Sequence, residues 1–170
     1  SLKNFTIPEW ITEIEGDVFS GCTSLESITI PESITVDGAF AFEGCTSLKS
    51  IKIPECVTEI GRNAFIDCTS LKSIIIPESV TKIGSCVFKG CTSLESVTIP
   101  EGVTEIGEGA FEGCASLESV TIPNSVTKIE VCTFEGCTSL ESIVLPKVRR
   151  IERYAFNGCT SLKRDRKAHV

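Results

Sequence analysis

The dipeptide Ser-Leu recurs along this chain at Ser1, Ser24, Ser47, Ser70, Ser93, Ser116, Ser139 and Ser161, at six intervals of 23 residues and one of 22. A period of that length sharply restricts the fold. One such unit is a single supersecondary turn, too short to close a core alone, so the copies must stack and share an interior. Whatever the chain does, it does from the surface of a repeating rod.

Laying the units over residues 93–115 gives nearly every position a structural reason. Position 2 is Leu, position 5 is Val, Ile or Phe, and position 7 is Ile except for Leu145. This alternation predicts a short strand with every second side chain inward. Position 8 is Pro in each full unit, from Pro8 to Pro146, which accounts for all seven prolines. Proline lacks the N–H that a ladder needs, so each strand ends there. Ile or Val at position 11, Ile at position 14 with one exception, and Phe at position 19 supply the other half of the core. Gly at position 21, replaced once by Asp67, and Gly at position 15 in four of seven units point to turns with unusual backbone angles.

The expected fold is a solenoid of 23-residue repeats, with a curved parallel β-sheet on the concave side and short strands and 3₁₀ turns on the convex side. At about 4.8 Å per parallel neighbour, seven units make a body roughly 35 Å long. Repeats are expected over residues 1–162, as seven full units and the start of an eighth, followed by a polar basic tail at 163–170. Asp37 stands where other units carry Ile. An unpaired carboxylate inside is costly, so this reading expects either a backbone irregularity or a polar partner there.

The run Leu94, Val97, Ile99, Pro100, followed by Val103, Ile106, Gly107 and then Ala110, Phe111, Gly113 and Cys114, resembles the BspA-like, or Treponema-type, leucine-rich repeats. The resemblance extends from residue 1 to about residue 162 and recurs in every unit. It implies the leucine-rich-repeat solenoid fold. It also implies a protein-binding or adhesion module, surface-exposed or secreted and virulence-associated, that recognises host matrix proteins such as fibronectin or fibrinogen. The motif residues are scaffold, so the resemblance assigns no binding residue.

Composition narrows the remaining classes. Hydrophobic residues make up 41% of the chain, enough for a continuous core, yet no apolar run approaches the ~20 residues of a membrane-spanning helix. No membrane insertion is expected, and this segment begins without a signal-peptide pattern. The formal charge of −7 is uneven: residues 147–170 carry eight basic side chains against two acidic ones, and the rest is strongly acidic. That polarity permits head-to-tail self-association. Nucleic acid is not an expected partner, because the net charge is negative and basic and aromatic residues do not interleave.

Ten cysteines invite a redox or metal reading, but seven of them occupy position 22 and are expected to pack as a row of small apolar free thiols beside Phe. A zinc site needs four converging ligands, and none is expected here. Cys56, Cys86 and Cys132 fall outside the row and are the expected exposed, oxidisable thiols. Catalysis requires a nucleophile, a base and an orienting group at one spot, whereas here His169 is the only histidine and Ser and Thr run in rows. Neither an enzyme nor a cofactor is expected.

Binding residues should be those facing out from the concave strands. Position 4 is a Ser column begun by Asn4, which also opens an Asn-Phe-Thr sequon. Position 6 is a Thr column broken by Lys52, Ile75 and Val144. An apolar residue rimmed by polar ones is how interfaces anchor, although single exposed apolar residues are also ordinary. The candidate protein-binding residues are Lys52, Ile75, Thr98, Thr121 and Val144, with Trp10 as either an exposed anchor or a cover for the first unit. Position 9 forms an acidic rim of Glu9, Glu32, Glu55, Glu78 and Glu101, ending with Asn124 and Lys147. The alternative reading is a structural or self-associating repeat scaffold within a larger protein.

Overall fold

The computed structural model describes residues 3–34 and 42–163. Asp37, Asp165, Lys167 and His169 lie outside them. In chain order the described strands are β1 (Asn4–Thr6), β2 (Ser27–Thr29), β3 (Ser50–Lys52), β4 (Glu59–Ile60), β5 (Ser73–Ile75), β6 (Lys82–Ile83), β7 (Glu105–Ile106), β8 (Ser119–Thr121), β9 (Lys128–Ile129), β10 (Ser142–Val144) and β11 (Arg150–Ile151).

These strands form two rows along the stack. The three-residue strands hold positions 4 to 6, and their middle residue points inward. The two-residue strands hold positions 13 and 14, with Ile60, Ile83, Ile106 and Ile129 buried. All pairing is parallel and joins equal repeat positions, as in Asn4 with Ser27 and Ile60 with Ile83. The period therefore sets the register, because a slip would turn every inward side chain to solvent.

Proline does more than end each strand. The Pro8, Pro54, Pro77, Pro100 and Pro123 carbonyls each accept the N–H of position 11, at 3.0–3.1 Å, closing the turn that redirects the chain toward the second row. The 22-residue interval removes its residue from this turn, and Tyr154 consequently keeps the position that Asn63 and Cys86 occupy in their own units.

The interior is a set of columns. Phe19, Phe42, Phe65, Phe88, Phe111, Phe134 and Phe156 stack with successive centroids 5.3–5.7 Å apart and nearly parallel planes. Each buried ring contributes about 1.5–3 kcal/mol through area alone. Leu25, Leu48, Leu71, Leu94, Leu117 and Leu140 form a second buried column. Thr133, at a position otherwise held by Ala or Val, is the one buried polar residue among the described residues, and its hydroxyl donates to the Glu130 carbonyl at 2.8 Å.

On the convex side i→i+3 bonds do form, such as Cys68 N–H to the Phe65 carbonyl and Leu71 N–H to the Cys68 carbonyl. They remain separate turns because the backbone is left-handed at two positions in each fully described unit. Position 21 is left-handed in Gly21, Gly44, Gly90, Gly113, Gly136 and Gly158, and Asp67 takes φ 59° in the same place. Position 17 is left-handed in Asp17, Asn63, Cys86, Gly109, Cys132 and Tyr154, a requirement the repeat pattern did not announce. A residue at positive φ cannot continue a right-handed helix.

Position 15 corrects a sequence expectation. Gly84 and Gly107 are not left-handed, and glycine is needed there for space. A Cβ on Gly107 would lie 2.5 Å from the Ser85 amide nitrogen, and one on Gly84 would lie 2.9 Å from that of Arg62. At these two residues the backbone of one unit presses directly on the previous one.

Candidate functional site

The three-residue strands present positions 4 and 6 to solvent, and five candidates fall on this one face. Lys52, Ile75, Thr98, Thr121 and Val144 are all exposed. Lys52 and Ile75 are register partners in the β3–β5 pair, and Thr121 and Val144 are partners in β8–β10. Ile75 is 63% exposed and Val144 is 53% exposed, in a position-6 column otherwise occupied by Thr and Lys. Trp10 stands apart, on the corner that follows Pro8. At 80% exposure it does not cover the first unit.

The ladder on this face is not continuous. β1 pairs with β2, β3 with β5, and β8 with β10, while Ser96–Thr98 meets β8 through a single Ser96–Ser119 bridge. A groove of about 340 Å³ opens there, lined by Ser96, Thr98, Ser119 and Thr121 and reaching Glu101 on the rim. A second recess lies farther along the same rim, between Glu9, Glu32 and Ser33. The units remain joined beside the strands, where Lys49, Lys72, Glu95, Glu118 and Glu141 each donate an N–H to the carbonyl of the equivalent residue one unit back.

The two flanks of the stack differ in charge arrangement. On the second row, Lys82 sits between Glu59 and Glu105 at 3.6 and 3.8 Å, Lys128 pairs with Glu130 and Glu152 at 3.3 and 3.4 Å, and Arg150 meets Glu152 at 2.6 Å. Hydrogen bonds that the Lys128 ammonium donates to Glu130 and Glu152 raise its pKa, with burial opposing them. On the rim, Glu9, Glu32, Glu55, Glu78 and Glu101 form one exposed column, and among the described residues none is in an ion pair. Its one internal tie is the Glu55 N–H donating to the Glu32 carboxylate at 2.9 Å.

The position-22 cysteines are free thiols with a role beyond packing. Cys45, Cys68, Cys91, Cys114, Cys137 and Cys159 each donate S–H to the Phe carbonyl of the previous unit at 3.0–3.2 Å. Burial pushes the thiol pKa up to about 11 at Cys45 and about 12 at Cys91 and Cys137, and well above the ordinary value at Cys114. Reactivity needs the thiolate, so this row is chemically quiet.

The three cysteines outside the row are not alike. Cys56 is exposed and donates to the Ile34 carbonyl, whereas Cys86 and Cys132 are half-buried. A hydrogen bond to Glu135 is the main cause of the rise in the Cys132 pKa to about 11, which opposes the expected oxidisable character. Among the described residues, no three His, Cys, Asp or Glu side chains converge to hold a metal ion. No helix among them is long and apolar enough to cross a membrane.

Comparison with known proteins agrees with this geometry. The model of the BspA type leucine-rich repeat region matches six copies, over residues 1–114 and 58–165. A crystal structure of the T. pallidum leucine-rich repeat protein superposes with a TM-score of 0.90 at 38% identity, over 95% of this chain and 78% of that one. A leucine-rich repeat protein from Eubacterium ventriosum gives 0.83 at 31% identity, over 97% of this chain but only 45% of its own length. A leucine-rich cell surface protein from Faecalibacterium prausnitzii gives 0.50 at 32% identity, over 95% of this chain and 59% of its own. A search of curated proteins finds no match. With the family model covering nearly the whole chain and the same columns stacking in space, this chain belongs to the BspA-type leucine-rich-repeat family.

Proposed function

We propose that this chain is an adhesion module, secreted or held at a cell surface, that recognises other proteins through the face of its three-residue strands. The observation that carries this reading is Ile75, largely exposed beside Lys52 in a row of Ser and Thr. A rigid sheet of short polar side chains costs little entropy to cover, and one apolar anchor within a polar surround is the usual anatomy of a contact. The surface location draws support from the F. prausnitzii relative, a cell surface protein by description. Matrix proteins such as fibronectin and fibrinogen are the partners that family resemblance suggests.

A non-enzymatic role fits the same geometry. Translational repetition spreads hydroxyls along columns instead of gathering unlike groups at one point. Immobilised fibronectin and fibrinogen, probed at low and moderate salt, test the reading. Saturable binding weakened by Ile75→Asp supports it. Absence of binding, with light scattering that reports concentration-dependent oligomers, would favour a self-associating scaffold instead.

A further inference from the structure

We infer that the occupant of this side of the stack is an extended basic segment of another protein, lying along the solenoid axis in a polyproline II conformation with Lys or Arg at every third residue. The inference deepens the proposed function and rests on the reading that this side is a recognition surface. Charge selects the sign of the partner. Five successive carboxylates stand in one column without an ion pair among the described residues, while the second row alternates Glu and Lys and neutralises itself. The border at the other end of the strands is also mixed, with Lys3, Lys49 and Lys72 among Glu26, Glu95, Glu118 and Glu141. The position-9 rim thus carries a single sign of charge over its first five units, before Asn124 and Lys147 end the run, and it continues into the groove through Glu101.

Spacing selects the conformation. The rim begins three residues after the paired strands, whose neighbours lie about 4.8 Å apart, so carboxylates two units apart repeat at about 9.6 Å. A polyproline II chain rises about 3.1 Å per residue with three residues per turn, so side chains on one edge repeat at about 9.3 Å. A β-strand returns a side chain to the same edge only at about 6.7 Å, which matches neither one unit nor two. Basic residues at every third position therefore reach Glu9, Glu55 and Glu101 together, or Glu32 and Glu78. The apolar edges of such a chain then lie toward the Ser and Thr columns and Ile75. Its backbone is already extended, so little ordering entropy is lost on docking.

The test uses a dye-labelled peptide of repeated Pro-Pro-Lys triplets and a second peptide of the same composition with its lysines contiguous, titrated against the whole chain by fluorescence anisotropy. The triplet peptide is expected to bind more tightly than the contiguous one and to weaken with salt. The Glu55→Gln/Glu78→Gln double variant removes one contact from each register and should lose about 1.5-fold to fivefold affinity, since each exposed pair contributes about 0.2–1 kcal/mol. Glu59→Gln, on the self-neutralised second row, should change nothing, and circular dichroism confirms that each variant is folded. Equal binding of the two peptides, or indifference to the rim variants, overturns the inference. Matrix-protein binding through Ile75 without any triplet-peptide binding also overturns it while leaving the strand-face reading intact, whereas triplet binding through Glu55 and Glu78 supports it even if neither matrix protein binds.

Discussion

Both strand rows are built on the same period, yet they present different surfaces. The two-residue strands close their own charges: Glu59, Lys82 and Glu105 alternate in register, and Lys128, Glu130, Arg150 and Glu152 form a connected set. The three-residue strands carry hydroxyls, a displayed Ile75 and an acidic border with no ion pair among the described residues. A surface that satisfies itself offers little to a partner, while one that leaves charge and an apolar anchor exposed has interaction energy to give. The difference comes from a few departures within otherwise constant columns.

The largest effect should come from the interior that supports both faces. Phe111→Ala removes one ring from the stack and should cost about 3–5 kcal/mol in urea unfolding, because the neighbouring rings cannot collapse into the space. It would degrade both faces together. Ile75→Asp should separate them: affinity for a protein ligand falls about tenfold or more, while unfolding free energy shifts by no more than about 0.5 kcal/mol.

Lys82→Glu sharpens the contrast from the other side. It converts an alternating column into three successive carboxylates and should cost about 0.5–1 kcal/mol at low salt, diminishing as salt is added, with ligand affinity unchanged. The smallest effect near neutrality concerns the thiols. With folded pKa values raised by burial, the Cys row contributes stability that is complete below the ordinary thiol pKa of 9.0 and is lost as pH rises toward about 12. The denaturation midpoint should fall across that window, and Cys91→Ala should reduce the fall. In the native state a thiol reagent at neutral pH should modify Cys56 well before Cys114.

The columns were legible in the sequence because each depends on one residue type with one physical task. Leu, Ile and Phe mark the interior, Pro8 to Pro146 mark the strand ends, and position 21 announces its left-handed backbone through glycine, with Asp67 complying. Position 17 stayed hidden because Asp17, Asn63 and Gly109 signal positive φ but Cys86, Cys132 and Tyr154 do not. The crowding behind Gly84 and Gly107 was hidden too, since it depends on how closely successive backbones approach. The thiol bonds to the Phe carbonyls needed the stack itself, because donor and acceptor belong to different units. Of the candidate surface, Lys52, Ile75 and Val144 could be picked out as breaks in a column. The interrupted ladder at Ser96 could not, because Ser96, Val97 and Thr98 are ordinary strand residues.

The central claim is that recognition belongs to the three-residue-strand face and not to the second row. A single titration tests it most directly: wild type, Ile75→Asp and Lys82→Glu against one immobilised matrix protein, each variant first shown to be folded. The account predicts that Ile75→Asp loses affinity about tenfold or more while Lys82→Glu matches wild type. Equal affinity for wild type and Ile75→Asp, with binding lost in Lys82→Glu, would contradict it and move the recognition surface to the second row.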